Sequence, residues 1–490
     1  MPIHAALQDD KALNLPISTE IGGCCKRVTM TNWTPDLDVR PGPRYLAIAL
    51  ALGEAIAKGE LRPGDRLPTH RDLAQRLGVT VPTVSRAYRE ASRRGYLSGE
   101  VGRGTFVRGA VQPRRALAPE REEQGIIDFD MNRPTVDAPH AGYLAESLAR
   151  LARSPELADM LRYQPNAGLP AHRAAGAEWM IKGGLDAQAE RVVVTSGGKH
   201  SLFVVLHAIA KPGDTVLTEE LSWPGIRSVT RYLDLKLQPV TLDDDGIVPE
   251  DLERACREHR PKALLCTPTA QNPTVSILPA ARRRRIAEIC REHDIAILED
   301  EVYGPLIDDP PPPITSFAPE RSFYLTSLSK VSAPGLRVGY VLAPQGQVGR
   351  VAQGVGATTI FTPPLMAEIG AQWIASGTIQ ALVDWQRREV SERTQILKRV
   401  LGNLACRTEP HAMHTWIKLP KPWHPTELIE AGRRRGISLS QTDAFCVGIK
   451  EPDAIRLALC GPTSRARYEE GLKRLADALA AGPEFTATMV

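Results

Sequence analysis

Lys330 and Asp300 are the two residues whose types and spacing best suit covalent chemistry. Lys330 follows Ser327 and Ser329 and lies thirty positions after Asp300, which ends an apolar run and precedes Tyr303 by three positions. A lysine amine condenses with an aldehyde to form a Schiff base, and an aspartate can keep a pyridine nitrogen protonated. The two serine hydroxyls suit a phosphate group. Each residue alone also has an ordinary structural role, such as a surface amine or a strand-end cap, so the chemical interpretation depends on their order and spacing.

This order resembles that of the fold type I pyridoxal-phosphate enzymes, the aspartate aminotransferase superfamily. The resemblance implies that Lys330 is the catalytic lysine and holds pyridoxal 5'-phosphate as an aldimine, while Asp300 pairs with the ring nitrogen. The segment beginning Asn272-Pro273-Thr274 resembles the family's N-P-T-G, with Val275 in place of the glycine. By resemblance Asn272 and Tyr303 bind the phenolic oxygen of the cofactor.

A glycine turn between a strand and a helix is a second candidate for binding the cofactor. Gly197, Gly198 and Lys199 follow the β-branched run Arg191–Thr195 and precede an apolar helical pattern at Leu202–Ala210. The N-terminus of such a helix offers free backbone N–H groups to a phosphate, although Gly-Gly before a helix is a weak motif alone. The segment resembles the family's T-x-G-x-Q phosphate loop, and Lys199 replaces the common glutamine.

Four further residues are assigned by the same resemblance. Trp223 matches the aromatic residue that stacks on the pyridine ring, with a core tryptophan as the alternative; Arg337, in Gly335-Leu336-Arg337, matches the arginine that pairs with the phosphate. Tyr163 matches the tyrosine that reaches the phosphate site of a neighbouring subunit, which implies a homodimer. Arg456 matches the arginine that binds an amino-acid α-carboxylate, with a surface charge on an edge strand as the alternative.

No metal site is predicted. His411 and His414 have a spacing that suits zinc on a helix, but the residues after His414 favour a strand. On a strand this odd separation points the two rings to opposite faces.

The chain composition is that of a globular protein, with 42% hydrophobic and 24% charged residues. Its apolar stretches are too short to span a membrane, and no secretory signal is visible at its start. The eight cysteines form no C-x-x-C pair, so free thiols and a cytoplasmic location are expected.

The N-terminal region is basic and carries a helix-turn-helix pattern. Residues 40–108 contain 13 Lys and Arg against 6 Asp and Glu, a net charge of +7, whereas residues 109–490 carry −1. Apolar residues at helical spacing predict helices from Pro43, over Thr69–Leu77 and from Val79 onward, followed by two short strands around a glycine turn. This order predicts a winged helix-turn-helix. Charge alone leaves a solvated basic face as likely as DNA binding.

The motifs Gly64–Pro68, Arg71–Ala74 and Val81–Tyr88 closely resemble those of the GntR-type DNA-binding domain. In such domains the third helix enters the major groove of double-stranded DNA. The resemblance therefore assigns DNA contacts to six residues: Arg71, Thr80, Thr83, Ser85, Arg86 and, at the wing tip, Arg103.

Four segments are predicted. Residues 1–39 are expected to be a disordered extension, 40–108 a winged-helix domain, 109–124 a linker that reaches at most roughly 55 Å, and 125–485 an aminotransferase-like domain. For this last domain we expect the α/β fold of type I pyridoxal-phosphate transferases, with a large mixed sheet between helices and a smaller C-terminal α/β lobe.

The combination of these two domains resembles the MocR subfamily of bacterial regulators. One hypothesis is a transcriptional regulator that binds a DNA operator and senses pyridoxal phosphate, an amino acid or a related effector. The alternative is a working aminotransferase with a secondary DNA-binding domain, because the catalytic set is retained. The complete helix-turn-helix with its basic face favours the regulator.

Overall fold

The computed structural model describes residues 33–35, 43–57, 60–61, 65–93, 96–100, 104–107, 125–402, 404 and 406–483. The chain divides into two compact units, Met1–Ala116 and Leu117–Val490. The predicted linker, the wing-tip residue Arg103 and most of the predicted N-terminal extension lie outside the described residues. The domain boundaries therefore stay predictions.

The first unit contains three helices, Arg44–Ala57, His70–Leu77 and Val81–Arg93. The second helix begins after Thr69, whose hydroxyl accepts the backbone N–H of Asp72 at 3.2 Å, and it ends at Gly78 in the left-handed conformation. Such caps satisfy backbone groups that the helix leaves without partners. The turn at Gly78 leads into the third helix, as the sequence predicts.

A two-stranded antiparallel sheet completes the winged helix. Strands β1 (Leu97–Glu100) and β2 (Gly104–Val107) pair with Leu97 opposite Val107. Both of these residues are buried in a core that includes Leu52, Leu73 and Val84. Trp33, from the predicted extension, also packs against this core.

The second unit contains twelve helices among its described residues: Ala138–Leu151, Leu157–Met160, Pro170–Lys182, Gly198–Ile209, Gly225–Tyr232, Pro249–His259, Ala280–Glu292, Val348–Thr359, Pro364–Ala375, Thr378–Leu401, Pro425–Arg434 and Arg465–Ala481. Short 3-10 turns occur at Ala189–Arg191, Gly304–Leu306, Ile314–Ser316, Pro334–Leu336 and Thr442–Ala444. No helix in the described part of the chain is long and apolar enough to cross a membrane.

Its strands are β3 (Ile127–Asp128), β4 (Val192–Thr195), β5 (Thr215–Glu219), β6 (Lys236–Val240), β7 (Leu242–Asp243), β8 (Gly246–Ile247), β9 (Ala263–Cys266), β10 (Ala296–Asp300), β11 (Ser322–Ser327), β12 (Gly339–Leu342), β13 (Cys406–Arg407), β14 (His414–Lys418), β15 (Ile437–Ser438) and β16 (Ala454–Ala458). Seven of them form a mixed sheet in the order β4-β12-β11-β10-β9-β5-β6. A smaller antiparallel sheet has the order β13-β14-β16, and β15 pairs with β3.

Both faces of the large sheet are covered. Along β4, Val192 and Val194 belong to one hydrophobic core, and Val193 between them belongs to another. Alternate residues of a strand point to opposite faces, so each face packs against apolar side chains. The mixed sheet and the smaller C-terminal lobe confirm the fold class expected from the sequence.

The sheet topology brings the predicted cofactor residues to one edge. Strands β5, β9, β10 and β11 are parallel, and β12 runs antiparallel to both β11 and β4. Strand β4 therefore runs in the same direction as β11. The carboxyl ends of β4, β9, β10 and β11 lead into Gly197, Asn272, Asp300 and Lys330, respectively, and ligands of α/β sheets bind at such edges.

Candidate functional site

Lys330 lies just beyond β11 with its amine in the interior of the site. Its Nζ donates a hydrogen bond to the backbone oxygen of Asn132 at 2.5 Å and lies 5.6 Å from the centre of the Tyr303 ring. Burial and the nearby Arg456 lower the pKa of Lys330 to about 8, although Asp300 opposes this shift. Roughly a tenth of the amine is therefore uncharged at pH 7, far more than for an ordinary lysine, and the uncharged amine is the form that attacks an aldehyde.

Asp300 ends β10, and its side chain accepts a long hydrogen bond, 3.4 Å, from the backbone N–H of Val302. Burial raises the pKa of Asp300 to about 6, while the Val302 N–H and the Lys330 charge act in the opposite direction. A protonated pyridine nitrogen would supply a positive charge and would stabilise the carboxylate. The burial of this carboxyl thus fits a cationic ring as its partner.

Tyr303 and Asn272 meet beside Lys330. The Asn272 amide Nδ2 lies 3.5 Å from the Tyr303 hydroxyl, and both residues are buried. Among the described residues the Asn272 Oδ1 atom has no hydrogen-bond partner although it is buried. A buried polar atom without a partner is costly, and an amide oxygen only accepts, so this edge of the site has room for a hydrogen-bond donor.

The glycine turn after β4 and Arg337 form a single cradle. Gly197 has φ 91° and precedes the helix Gly198–Ile209, whose first N–H groups have no partner within the helix. The Arg337 Nη2 atom donates to the backbone oxygen of Ser196 at 2.9 Å, and its Nη1 atom lies 3.5 Å from the Ser329 hydroxyl. A Cβ on Gly197 would lie 2.5 Å from Arg337 Nη2, so only glycine leaves this space open.

The other residues predicted for the phosphate region have different positions. Ser327, which ends β11, accepts the backbone N–H of Ser329 at 3.2 Å, so its hydroxyl shapes the loop before Lys330. The Lys199 side chain is exposed on the first turn of its helix. The structure gives neither residue a partner that defines a phosphate contact, so both stay predictions.

Trp223 and Tyr163 differ in exposure. The Trp223 ring is partly buried and packs on Gly225, where a Cβ would come within 2.1 Å of it. Tyr163 is 84% exposed and meets Phe361 edge-on, with the ring centres 6.0 Å apart. The ring is therefore accessible, and its contact with the phosphate site of a neighbouring subunit stays a prediction.

Arg456 is buried on β16, which excludes the alternative of a surface charge on an edge strand. Its Nη2 atom donates to the backbone oxygen of Asp130 and to the Ser440 hydroxyl, and it lies 3.8 Å from an Asp130 carboxylate oxygen. The guanidinium also lies over the Phe445 ring at 5.2 Å. A buried guanidinium that is held by a backbone oxygen, a hydroxyl and one carboxylate can also bind a carboxylate ligand by donating to it.

The two histidines considered as metal ligands lie on different structural elements. His414 begins β14, whereas His411 lies in a turn with φ 64° and pairs with Asp308 at 3.0 Å. In the described residues no group of three or more His, Cys, Asp and Glu side chains could hold a metal ion.

On the winged helix, the predicted DNA-contacting residues lie along the second and third helices. Arg71, Thr80 and Arg86 are exposed, and Arg86 lies over the Tyr45 ring at 4.2 Å. The Thr80 and Thr83 hydroxyls are 2.9 Å apart. The Ser85 hydroxyl lies 3.1 Å from His70 Nδ1, so part of its hydrogen-bonding capacity is used within the domain.

A family model for aminotransferase class I and II matches residues 124–477, which is more than half of the chain. The chain belongs to the aminotransferase class I and II family. A second model, for bacterial regulatory proteins of the gntR family, matches residues 44–107 of this aminotransferase-family chain. The N-terminal unit is thus a GntR-type winged helix fused to a fold type I domain, as the sequence motifs predict.

Two regulators resemble the aminotransferase-family chain over much of its length. It is 29% identical to the uncharacterized HTH-type transcriptional regulator YdeF of Bacillus subtilis (strain 168), over 91% of this chain and 97% of that protein. It is also 29% identical to the HTH-type pyridoxine biosynthesis transcriptional regulator PdxR of Corynebacterium glutamicum, over 71% of this chain and 77% of that protein.

Among solved structures, the α-aminoadipate aminotransferase LysN of Thermus thermophilus has a TM-score of 0.67 and 24% identity, covering 75% of this chain and 95% of that one. That structure contains N-(5'-phosphopyridoxyl)-L-leucine. Pyridoxal phosphate is the cofactor that the aminotransferase family indicates, and the cradle at Gly197 and the half-buried Asp300 carboxyl fit it.

Two residues of this site have no counterpart in the sequence analysis. The Asn132 amide Nδ2 donates to the Tyr303 hydroxyl at 2.9 Å, and it lies 3.1 Å from Nδ1 of His414. Asn132 follows β3 in a segment without a recognisable motif, and His414 was considered only as a metal ligand. The one available signal was that His414 opens an apolar strand, where a histidine must have buried partners.

Proposed function

We propose that this protein is a cytoplasmic transcriptional regulator of the MocR type, a homodimer that binds operator DNA and senses a ligand through pyridoxal phosphate. The resemblance to YdeF and PdxR supports this proposal, because those proteins are HTH-type regulators and the first resembles this chain over 91% of its length. The exposed basic residues Arg71 and Arg86 on the winged helix also support it.

The cofactor would be held by residues from several strand ends. Lys330 would bond to the aldehyde of the cofactor, and Asp300 would pair with its ring nitrogen. Asn272 and Tyr303 would contact its ring oxygen. The proposed set is Tyr163, Gly197, Gly198, Lys199, Trp223, Asn272, Asp300, Tyr303, Ser327, Ser329, Lys330 and Arg337. When bound, pyridoxal phosphate supplies an aldehyde that condenses with amines and a ring that withdraws electrons.

The observation that carries a sensing role is the pair of hydrogen bonds to residues 130–132. Lys330 donates to the backbone oxygen of Asn132, and Arg456 donates to that of Asp130. This segment follows β3, the first strand after the predicted linker. A ligand that binds Lys330 or Arg456 would therefore change the hydrogen bonds of a segment that leads directly to the linker.

Arg456 would bind the carboxylate of an amino-acid effector. Its guanidinium is already oriented by Asp130 and Ser440, so a carboxylate would meet a preorganised donor. Binding of such a ligand would exchange or share those partners. The free energy available to change DNA affinity equals the difference in ligand affinity between the two states.

DNA binding is proposed for the second and third helices. Arg71, Thr80, Thr83, Ser85 and Arg86 would face the major groove, and Arg103 would lie at the wing tip. Dimerisation through the large domain would present two winged helices to paired half-sites, as in other dimeric helix-turn-helix proteins.

The test is the affinity for genomic DNA fragments selected by the purified holoprotein, with and without each amino acid. A sensing ligand should change the dissociation constant by about 5- to 150-fold, the usual range of allosteric coupling. The change should disappear in Lys330→Ala and in Arg456→Ala. Lys473→Ala is the matched control, because Lys473 is an exposed lysine that pairs with Glu469 on the last helix.

Two results would contradict the proposal. An effect of equal size in wild type, Lys330→Ala and Arg456→Ala would show that the signal does not pass through the cofactor site. Failure of the holoprotein to select any DNA fragment would remove the regulatory role.

The alternative, an active aminotransferase, is favoured by the complete set of Asn272, Asp300, Tyr303, Lys330 and Arg337 at one edge of the sheet. Incubation with an amino acid and a keto acid separates the two functions. An enzyme converts many equivalents of substrate, whereas a sensor gives at most one spectral change per bound cofactor.

A further inference from the structure

The Tyr303 hydroxyl lies between two side-chain amides. Asn132 Nδ2 donates to it at 2.9 Å, and Asn272 Nδ2 lies 3.5 Å from it. An amide nitrogen can only donate hydrogen bonds, so the tyrosine oxygen acts as the acceptor in both. The hydroxyl proton of Tyr303 is thereby left available for a third group.

His414 determines which way the Asn132 amide faces. Its Nε2 atom lies 3.0 Å from the backbone oxygen of Gln271, and its Nδ1 atom lies 3.1 Å from Asn132 Nδ2. A carbonyl oxygen only accepts, so Nε2 carries the proton. The amide nitrogen only donates, so Nδ1 carries none. The two bonds together require a neutral ring with its proton on Nε2.

The opposite orientation of the amide would require a charged histidine. If Asn132 Oδ1 faced His414, both ring nitrogens would have to donate, which only the imidazolium form can do. The ring is fully buried, and burial together with the positive charges of Arg456 and Lys330 lowers the pKa of His414 to about 3. The charged form is therefore excluded at neutral pH, and the flipped amide is excluded with it.

We propose that His414 is a positioning residue that turns the Asn132 amide toward Tyr303 as a donor and so reserves the Tyr303 hydroxyl proton for the cofactor's ring oxygen. With the amide reversed, Asn132 Oδ1 would take that proton, and the ring oxygen would lose its donor. This role rests on the proposed function, because it requires pyridoxal phosphate in the site.

The packing of the three side chains supports this role. The His414 ring lies against the Tyr303 ring with the centres 5.5 Å apart, and Tyr303 itself is buried. Burial raises the pKa of Tyr303 to about 12, so the hydroxyl keeps its proton over the pH range in which the protein would act. The direction in which this proton points is then set by Asn132 and Asn272.

The test is a pH titration of the visible absorbance of the protein loaded with pyridoxal phosphate. A hydrogen bond from Tyr303 stabilises negative charge on the ring oxygen and lowers the pH midpoint of the colour change. His414→Gln keeps a donor toward Gln271 but loses the acceptor toward Asn132, so its midpoint should rise by about 0.5 to 1 pH unit. His414→Asn keeps an oxygen near the Nδ1 position and should restore most of the wild-type midpoint.

A double-substitution cycle separates positioning from a general structural effect. In the Tyr303→Phe background the hydroxyl is absent, so His414→Gln should cause no further shift. Asn132→Asp should shift the midpoint upward at least as far as His414→Gln, because a carboxylate accepts the tyrosine proton. His259→Gln, at an exposed position at the end of the helix Pro249–His259, is the control and should leave the midpoint unchanged.

Each outcome decides the question. Equal shifts in His414→Gln and His414→Asn, or an undiminished shift in the Tyr303→Phe background, would overturn the positioning role. If His414→Gln fails to fold, Asn132→Ser removes the amide and keeps the ring, and an unchanged midpoint in that variant would overturn it too. Absence of any visible band in loaded wild type would instead refute the proposed function.

Discussion

Replacement of Gly197 by alanine tests the phosphate cradle most directly. At φ 91° and ψ 167° this residue has a backbone conformation that almost only glycine adopts. A Cβ there would lie 2.5 Å from Arg337 Nη2 and 2.9 Å from Arg337 Cζ. The substitution therefore strains the backbone and also displaces the guanidinium.

The two effects have separate magnitudes. Backbone strain of this kind costs about 1–3 kcal/mol of folding free energy. A displaced Arg337 loses a hydrogen bond to a charged phosphate, about 1.5–3 kcal/mol. The second effect corresponds to a dissociation constant for pyridoxal phosphate that is about 10- to 150-fold higher.

Gly213→Ala is the matched control. Gly213 has φ 89°, nearly the same as Gly197, but a Cβ there meets nothing within 4 Å. The Gly213→Ala variant should lose folding stability to a similar extent as Gly197→Ala, while its affinity for pyridoxal phosphate stays at the wild-type value. Denaturant unfolding of the apoprotein measures the first quantity, and absorbance titration with pyridoxal phosphate measures the second.

A third variant tests whether Arg337 carries the effect. In an Arg337→Ala background the clash is absent, so Gly197→Ala should weaken cofactor binding much less than it does in wild type. The reasoning is refuted if Gly197→Ala binds pyridoxal phosphate as tightly as Gly213→Ala does.

Three further predictions concern the amine, the DNA surface and the subunit interface. The pKa of Lys330 is lowered to about 8, so the rate of pyridoxal phosphate attachment to apoprotein should rise with pH and level off above about pH 8; continued increase toward pH 10 in stopped-flow absorbance would contradict this. Arg86→Ala should weaken binding to selected DNA by about 1–3 kcal/mol. Tyr45→Leu should weaken it less, because this substitution removes only the ring that supports Arg86. Unchanged affinity of Arg86→Ala at several salt concentrations would show that the third helix does not contact the DNA. Tyr163→Ala should weaken cofactor binding in a dimer, whereas the exposed Tyr232 gives a control variant, Tyr232→Ala, without effect; light scattering that shows a cofactor-loaded monomer would refute the shared site.

The residues predicted most securely from sequence are those at strand ends. Gly197, Asn272, Asp300 and Lys330 each follow an apolar or β-branched run, and the parallel strands bring these positions to one edge. This convergence depends only on strand direction, which a regular alternation of strands and helices implies. Their common location was therefore predictable without knowledge of any individual contact, whereas their chemical roles rest on the family resemblance and stay predictions.

The partners of Tyr303 were not predictable in this way. Asn132 and His414 are 282 residues apart in the chain and come together only in the folded molecule. Neither has neighbours that form a motif, and a histidine on a strand has many possible partners. The support of Arg86 by Tyr45 was missed for the same reason, since it depends on packing between the first and third helices.

The same cofactor site can serve a sensor or an enzyme, and the lifetime of the ligand-bound state distinguishes them. Lys330 and Arg456 both donate hydrogen bonds to backbone oxygens of residues 130–132. A ligand that takes both donors changes this segment for as long as it stays bound. Rapid conversion and release would restore the two hydrogen bonds after each turnover, so the change would be brief. A slowly converted ligand would keep the segment in its altered state and give a steady change in DNA affinity. Slow turnover is therefore compatible with a complete catalytic set and is what a regulator built on this fold requires.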